Sequence, residues 1–309
     1  MSQPSVFVFP GQGSQQVGML AEIALQSSIV EQTFAQASAV LGYDLWALVK
    51  NGPLESLNQT DKTQPALLCA STALWRVWQD RGGQLPAVMA GHSLGEYTAL
   101  VCAGAMTFSD AVNLVRLRGE YMQEAVPAGT GAMAAILGLA DDLVVKACES
   151  AAQGSVVSAV NFNCPGQVVI AGEKVAVARA IEICKASGAK RAIELPVSVP
   201  SHCELMRPAA EKLAKKLNII DMQMPLIDVV QNATAEQPQS IAQIKENLIA
   251  QLYSPVLWTR SIEKIVASGV QVSIECGPGK VLSGLNKKIH KPLVLASLAD
   301  AAGWEKATA

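Results

Sequence analysis

The order of apolar runs along this chain restricts its fold more than any other feature, because one block breaks a pattern that holds on both sides of it. Between Gly131 and Val197 the sequence reads as a strand at 131–138, a helix at 141–152 and strands at 156–163 and 167–172 around Asn163-Cys164-Pro165-Gly166. A helix at 173–187 closed by Gly188 and a strand at 190–197 complete the block. That βαββαβ order is the split βαβ arrangement of ferredoxin-like domains. Outside the block, strands alternate with helices. A strand at 5–9 ends in Pro10-Gly11-Gln12-Gly13, and from Gln64 the apolar residues Leu67, Leu68, Leu74, Trp75 and Trp78 recur at helical spacing until Gly82-Gly83. A strand at 86–90 and helices at 96–102 and 110–125 follow. Beyond the block come helices at 211–217, 241–252, 259–267 and 280–289, with strands at 227–231, 270–275 and 293–296. Such alternation predicts a parallel sheet covered on both faces. The expected fold is therefore α/β: a parallel-sheet, α/β-hydrolase-like core from residues 1–126 and 199–309, with a ferredoxin-like (βαββαβ) subdomain inserted at 127–198.

Composition narrows the function classes. Of the 309 residues, 50% are hydrophobic and 16% charged, below the roughly 25% charged of ordinary soluble domains. This excludes a disordered chain or a long coiled coil. With 24 Lys plus Arg against 26 Asp plus Glu, the net charge of -2 supplies no field for nucleic acid or an anionic membrane, so neither is an expected partner. Any anionic ligand must be met by local groups. The first basic residue is Lys50, so the N-terminus lacks the charged region of a secretory or transit peptide. Uncharged runs at 2–21 and 150–172 are broken by Gly, Pro, Gln or Asn, so no transmembrane helix is expected and the location reads as cytoplasmic. Seven scattered cysteines without C-x-x-C spacing read as thiols in a reducing compartment. The Asn58 and Asn232 sequons are then chance matches, and no His, Cys or carboxylate pair has metal spacing.

Gly91-His92-Ser93-Leu94-Gly95 is a G-x-S-x-G between an expected strand and an expected helix, the setting a nucleophile elbow requires. A chain this long holds the bare pattern by accident roughly 0.1 times, and fewer times in that setting. The glycines allow a tight turn that exposes the Ser93 hydroxyl, and the Leu94 N–H at the helix start can face a developing oxyanion. A purely structural glycine turn is the alternative. Three histidines could serve as base. His92 adjoins the serine and His290 sits in a lysine-rich helix end. His202 is favoured, because it follows the last strand of the inserted block, where a cleft between domains is expected. Cys203 has no elbow to present its thiol. Two nucleotide-like patterns fail: 11–16 lacks the third glycine of G-x-G-x-x-G, and Gly279-Lys280 continues with Val281.

Phe9-Pro10-Gly11-Gln12-Gly13-Ser14-Gln15, Gln64-Pro65-Ala66-Leu67, Gly91 to Tyr97, Arg118-Gly119, Gly129 to Met133, Ser198-Val199-Pro200-Ser201-His202, Gln251-Leu252-Tyr253 and Glu275-Cys276-Gly277-Pro278-Gly279 run through the chain in order. Together they resemble the malonyl-CoA:acyl carrier protein transacylases of bacterial type II fatty acid synthesis, nearly end to end. The resemblance implies a ping-pong acyltransferase that passes malonyl from malonyl-CoA through a malonyl-serine to the phosphopantetheine thiol of acyl carrier protein, supplying fatty acid elongation without a metal or cofactor. It implies Ser93 as nucleophile and His202 as base, a dyad in which the main-chain carbonyl of Gln251 orients the histidine. Backbone N–H groups of Gln12 and Leu94 would form the oxyanion hole. Arg118 would meet the malonyl carboxylate, a role that suits a planar guanidinium; an exposed helix arginine is the alternative and describes Arg116 better. Gln64 and Asn163 are weaker candidates for lining the substrate site, against capping or turn roles. The carrier protein is an acidic partner in this family, so Lys287, Lys288 and Lys291, with Lys190 and Arg191, are candidates for docking it; a solvated helix end is an equal reading.

Two other classes share parts of this pattern. A serine esterase or thioesterase hydrolysing an acyl-CoA has the same elbow and usually an acid between serine and histidine, which no residue here singles out. A binding module that had lost its chemistry is the other, and the presence of Ser93, His202 and Arg118 argues against it.

Overall fold

The computed structural model of the chain describes residues 3–127, 129–197 and 199–308. Ser198, which ends the expected insert and opens the motif before His202, lies outside the described residues. Strand β1 (Ser5–Phe9) sends Phe7 and Phe9 into one apolar layer and Val6 and Val8 into another. A strand buried on both faces belongs inside a covered sheet. It is followed by α1 (Ala21–Ala24), α2 (Ile29–Leu41), α3 (Leu45–Asn51), α4 (Leu54–Leu57), α5 (Thr60–Asp80), β2 (Val88–Gly91), α6 (Leu94–Cys102) and α7 (Phe108–Ala125). The next block is β3 (Gly131–Leu137), α8 (Asp141–Ala152), β4 (Val157–Cys164), β5 (Gln167–Glu173), α9 (Lys174–Ala186) and β6 (Arg191–Glu194). A 3-10 turn at Glu204–Met206 leads to α10 (Arg207–Ile219), β7 (Asp228–Val230), α11 (Ile241–Ala250), α12 (Trp258–Ala267), β8 (Val272–Glu275), α13 (Val281–Ile289), β9 (Val294–Ser297) and α14 (Ala301–Thr308).

Among the described residues these strands form two sheets. The larger has the order β7-β2-β1-β8-β9 with every pairing parallel. Phe7, Met89 and Val229 pack one of its faces against α2, α5, α6, α7 and α10, and Val6, Val88 and Val230 pack the other against α12 and α13. The smaller has the order β4-β5-β3-β6 with antiparallel neighbours. Because β5 lies between β3 and β4, the crossover through α8 is split by a third strand, as the βαββαβ order requires. Ile136, Val168 and Ile170 cover one face with α8 and α9. On the other face Met133, Val169 and Ala171 pack with Val160 and Cys203.

The small sheet is stitched to the large one through β4. Phe162 N donates to Val256 O at 3.0 Å and Val256 N to Val160 O at 2.8 Å. The Thr259 hydroxyl donates to Phe162 O at 2.9 Å. These bonds satisfy strand groups that would otherwise be buried unpaired.

The last strand of the insert is shorter than the expected 190–197. It stops at Glu194 because Pro196 has no N–H to give a ladder, and Leu195 to Val197 line a cavity instead. Helix α10 starts at Arg207 rather than 211, since Pro208 is tolerated in a first turn. The helices α1 to α4 lie between β1 and α5, a stretch where no element is expected from the sequence; the Val30, Phe34, Ala37 spacing of α2 is nevertheless an amphipathic stripe. No helix among the described residues is long and apolar enough to cross a membrane. The seven cysteines are free thiols, all buried except the half-buried Cys102.

Two glycines set close approaches that shape the site. A Cβ on Gly119 would lie 2.7 Å from Asp61 Cα, so only glycine lets α7 sink onto the first turn of α5. A Cβ on Gly95 would lie 2.0 Å from Phe9 O, where α6 crosses the end of β1. Gly95→Ala is expected to cost about 3 kcal/mol, the scale of severe overpacking. Gly284→Ala, on an exposed face of α13 with nothing within 4 Å of the new carbon, is expected to add about 1 kcal/mol. Urea-unfolding midpoints check both, and equal effects would contradict the assignment of Gly95 to a close contact.

Candidate active site

The elbow between β2 and α6 carries Ser93 at φ 53° and ψ -109°, a conformation an L residue adopts only under constraint. The constraint is Asn232, just past β7. Its Oδ1 accepts from Ser93 N at 2.6 Å and its Nδ2 donates to Gly91 O at 2.7 Å, so one carboxamide clamps both sides of the turn. Leu94 is the first residue of α6, so its N–H has no partner four residues back in the helix.

Ser93 Oγ lies 2.8 Å from His202 Nε2, and His202 Nδ1 lies 2.6 Å from the main-chain oxygen of Gln251. A carbonyl can only accept, so Nδ1 carries the proton and Nε2 offers its lone pair to the serine hydroxyl. Burial, then the Arg118 cation, pushes the His202 pKa down to about 3, so the imidazole is neutral across the ordinary pH range. A hydroxyl donating to an oriented neutral imidazole is the arrangement of an activated nucleophile.

Arg118, 2% exposed on α7, reaches the same hydroxyl: its Nη2 donates to Ser93 Oγ at 3.2 Å. Nη2 also donates to Gln251 Oε1 at 3.0 Å and Nη1 to Gln64 Oε1 at 2.8 Å, while the guanidinium lies over the Tyr97 ring at 5.3 Å. Burial lowers the Arg118 pKa and nearby Tyr97 and Glu96 oppose that shift. A guanidinium does not lose its proton in a protein, so a cation stands at the nucleophile without a direct carboxylate partner among the described residues. Arg116, two residues earlier, pairs with Glu120 at 2.5 Å on an outer face.

A cavity of about 440 Å³ opens over these groups, lined by Gln12, Leu94, Arg118, Met122, Met133 and Val197 among others. Its walls come from loops and helices around the large sheet and from strands of the small one. Gln64 sits behind Arg118 as its acceptor. Asn163 pairs with His92, Oδ1 to Nε2 at 2.8 Å, and it is Asn161 of the same strand that lines the cavity. Register shifts in β4 between Ala159 and Asn161 and between Phe162 and Cys164 disturb strict alternation there. His92 is spent on that contact and its pKa is lowered by burial; His290 caps α13 away from the cavity. Burial pushes the Cys203 thiol up to about 11, and it donates to Pro200 O.

Lys287, Lys288, Lys291, Lys190 and Arg191 are exposed. Lys288 Nζ donates to Gln167 Oε1 at 3.3 Å, and Gln167, Leu137 and Arg191 stand in one row across the small sheet. The end of α13 and the start of β6 therefore share one basic edge. Among the described residues no group of three or more His, Cys, Asp or Glu is placed to hold a metal.

Sequence reasoning overlooked the layer beneath. Glu96 is fully buried and accepts from Asn232 N at 2.8 Å, Gln251 Nε2 at 2.9 Å and Gln231 Nε2 at 2.9 Å. Burial pushes its carboxyl up to about 7, against these hydrogen bonds and Arg118. A carboxylate three residues after the elbow serine, on an otherwise apolar helix, was the available signal. Asn232 read only as a sequon; it is 1% exposed, with both ends of its carboxamide bonded.

The model of the acyl transferase domain family matches residues 6–300. The malonyl CoA-acyl carrier protein transacylase of Salmonella typhimurium is 61% identical over 301 residues, covering 97% of each chain. The Bacillus subtilis protein of the same name is 48% identical over 295 residues, covering 95% of this chain and 93% of its own. Among solved structures, an acyl carrier protein S-malonyltransferase from Vibrio cholerae superposes with a TM-score of 0.96 at 60% identity, covering 97% of this chain and 98% of the other. A malonyl-transacylase in complex with its type II polyketide acyl-carrier protein superposes with a TM-score of 0.97 at 57% identity, covering 99% of both.

The neutral His202 has a consequence for stability. An unfolded histidine takes up a proton as pH falls below 6.5, while the folded one resists until about 3, so folding loses stability toward acid through this group. The stability difference of His202→Gln relative to the parent should therefore shift in favour of the variant by about 1 kcal/mol for each pH unit below neutrality. Urea unfolding at several pH values down to about 4.5, inside that window, measures it; a difference independent of pH would mean that His202 titrates normally.

Proposed function

The chain belongs to the acyl transferase family, and from that premise we propose that it transfers malonyl from malonyl-CoA to the phosphopantetheine thiol of acyl carrier protein for fatty acid elongation. The observation that carries the choice of acyl group is Arg118, a buried cation 3.2 Å from Ser93 Oγ. Malonyl differs from acetyl by a carboxylate that a guanidinium binds in bidentate fashion. An acetyl group leaves that cation buried and unpaired, at a cost of several kcal/mol (~2 to 3).

In the first half-reaction the Ser93 oxygen bonds to the thioester carbon as its proton passes to His202 Nε2. The backbone N–H groups of Gln12 and Leu94, both at the cavity wall, receive the oxyanion; losing such a donor costs about 3 kcal/mol. The carbon–sulfur bond then breaks and the imidazolium returns its proton to the departing CoA thiolate. In the second half the carrier-protein thiol gives its proton to His202 and attacks the ester carbonyl, and Ser93 leaves with that proton. The Gln251 main-chain carbonyl keeps the imidazole tautomer throughout, so the machinery is a dyad. No metal or cofactor enters these steps. Gln64 holds Arg118, and Asn163 acts through His92 rather than on the acyl group. The basic edge formed by Lys287, Lys288, Lys291, Lys190 and Arg191 is the docking surface for the acidic carrier protein. The two lobes, 1–126 with 199–309 and 127–198, meet at the substrate cavity.

Intact-protein mass spectrometry after exposure to a mixture of malonyl-, acetyl- and methylmalonyl-CoA tests the assignment. One malonyl adduct is expected, absent in Ser93→Ala and discharged by phosphopantetheinylated carrier protein; rapid loss of the adduct to water would point to a hydrolase instead. Exchanging Lys287 and Lys288 together for Glu is expected to weaken transfer to carrier protein about tenfold while sparing loading from malonyl-CoA. Equal loss in both half-reactions would remove the docking assignment.

A further inference from the structure

We infer that Glu96 is a positioning residue which anchors the Gln251 carboxamide and thereby aims the Arg118 guanidinium, so that it governs the preference for acyl groups ending in a carboxylate. This deepens the reading of Arg118 given above and rests on it. Glu96 reaches neither the cavity nor the nucleophile; its influence passes through Gln251.

The argument is one of donors and acceptors. Gln251 is fully buried, and its Nε2 donates to Ser93 O at 3.0 Å and to Glu96 Oε2 at 2.9 Å. With both protons engaged, Oε1 is left facing Arg118 Nη2. Two side-chain amides therefore hold the guanidinium, Gln64 at Nη1 and Gln251 at Nη2, and its Nε has no partner among the described residues. Its other contacts, the Ser93 hydroxyl at 3.2 Å from Nη2 and the Tyr97 ring at 5.3 Å, leave the angle within its plane chiefly to the two amides. Gln251 in turn needs both of its acceptors, because a buried amide proton without one is costly. Glu96 is itself immobile. Its Oε2 accepts from the main-chain N–H of Asn232 as well, and its Oε1 from Gln231, whose Oε1 accepts from Asn247.

Three substitutions separate anchoring from charge and from bulk. Glu96→Ala removes the acceptor. Glu96→Asp keeps the charge but withdraws the oxygens by one methylene, about 1.5 Å. Glu96→Gln removes the charge yet can present its oxygen to Asn232 N and Gln251, since Gln231 and Asn247 can turn their amides to accommodate the new NH₂ group. The readout is the ratio of kcat/KM for malonyl-CoA to that for acetyl-CoA, measured beside Arg118→Ala and the double variant of Glu96→Ala with Arg118→Ala. Glu96→Ala and Glu96→Asp are expected to lower the ratio about tenfold, the weight of one buried hydrogen bond, and Glu96→Gln to keep it within about threefold. In the Arg118→Ala background, Glu96→Ala is expected to change the ratio no further. Should Glu96→Ala fail to fold, the Asp and Gln variants carry the same comparison.

The inference is overturned if Arg118→Ala collapses the ratio while Glu96→Asp leaves it unchanged, or if Gln loses what Asp retains. An unchanged ratio in Arg118→Ala would instead bring down the reading of Arg118, and the inference with it.

Discussion

The hold of Asn232 on the turn at Ser93 is the interaction on which the rest of the site is built. A serine at positive φ is unfavourable by about 1 to 3 kcal/mol and persists only where its surroundings over-determine it. Here one carboxamide bonds both Gly91 O and Ser93 N, and the main chain of the same asparagine is bonded to Glu96. The turn is thus fixed from β7, the neighbour of β2 in the parallel sheet. With it fixed, the first turn of α6 lies against the end of β1, the Ser93 hydroxyl faces His202, and Glu96 points inward to Gln251. Each later contact depends on the earlier one, from the sheet to the turn and from the turn to the dyad.

The buried polar groups under the cavity share one network of partners. Gln251 is its hub: its main-chain oxygen accepts from His202, its Oε1 accepts from Arg118, and its Nε2 donates to Ser93 O and Glu96. A half-satisfied network in a low-dielectric interior is worse than an apolar one, so these groups are useful only together. The single charge that reaches the cavity wall from this layer is that of Arg118. The dry surroundings, and after them its field, keep His202 neutral, so the free site holds a lone-pair acceptor ready beside a hydroxyl.

Much of the architecture was legible in the sequence, because strand and helix periods differ and the βαββαβ block interrupts a regular alternation. The elbow was legible for the same reason, being a glycine-rich turn at a strand-to-helix junction. His202 could be favoured among three histidines by its position after the insert, and Arg118 separated from Arg116 by the resemblance and by the opposite directions of residues two apart on a helix. What could not be read were contacts closed by the fold. Glu96 meets Gln231 across 135 residues and Gln251 across 155, and no local pattern announces such a meeting. Asn161 and Asn163 show a subtler limit. Both lie on β4, and irregular register decides which of them faces the cavity. The helices between β1 and α5 are hard to read for a different reason: α1 and α4 are single turns, and the buried stripe of α2 holds only four residues.

The cavity is bounded by Leu94 and Arg118 from the large sheet's helices and by Met133, Leu195 and Val197 from the small sheet and the segment that follows it. Its width is accordingly a distance between two bodies rather than the size of any one side chain, and the contacts between them, the stitch at Val160, Phe162 and Val256 included, set that distance. A residue that lines no part of the cavity, such as Val256 at the seam, thereby shares in deciding how bulky a group the cavity admits.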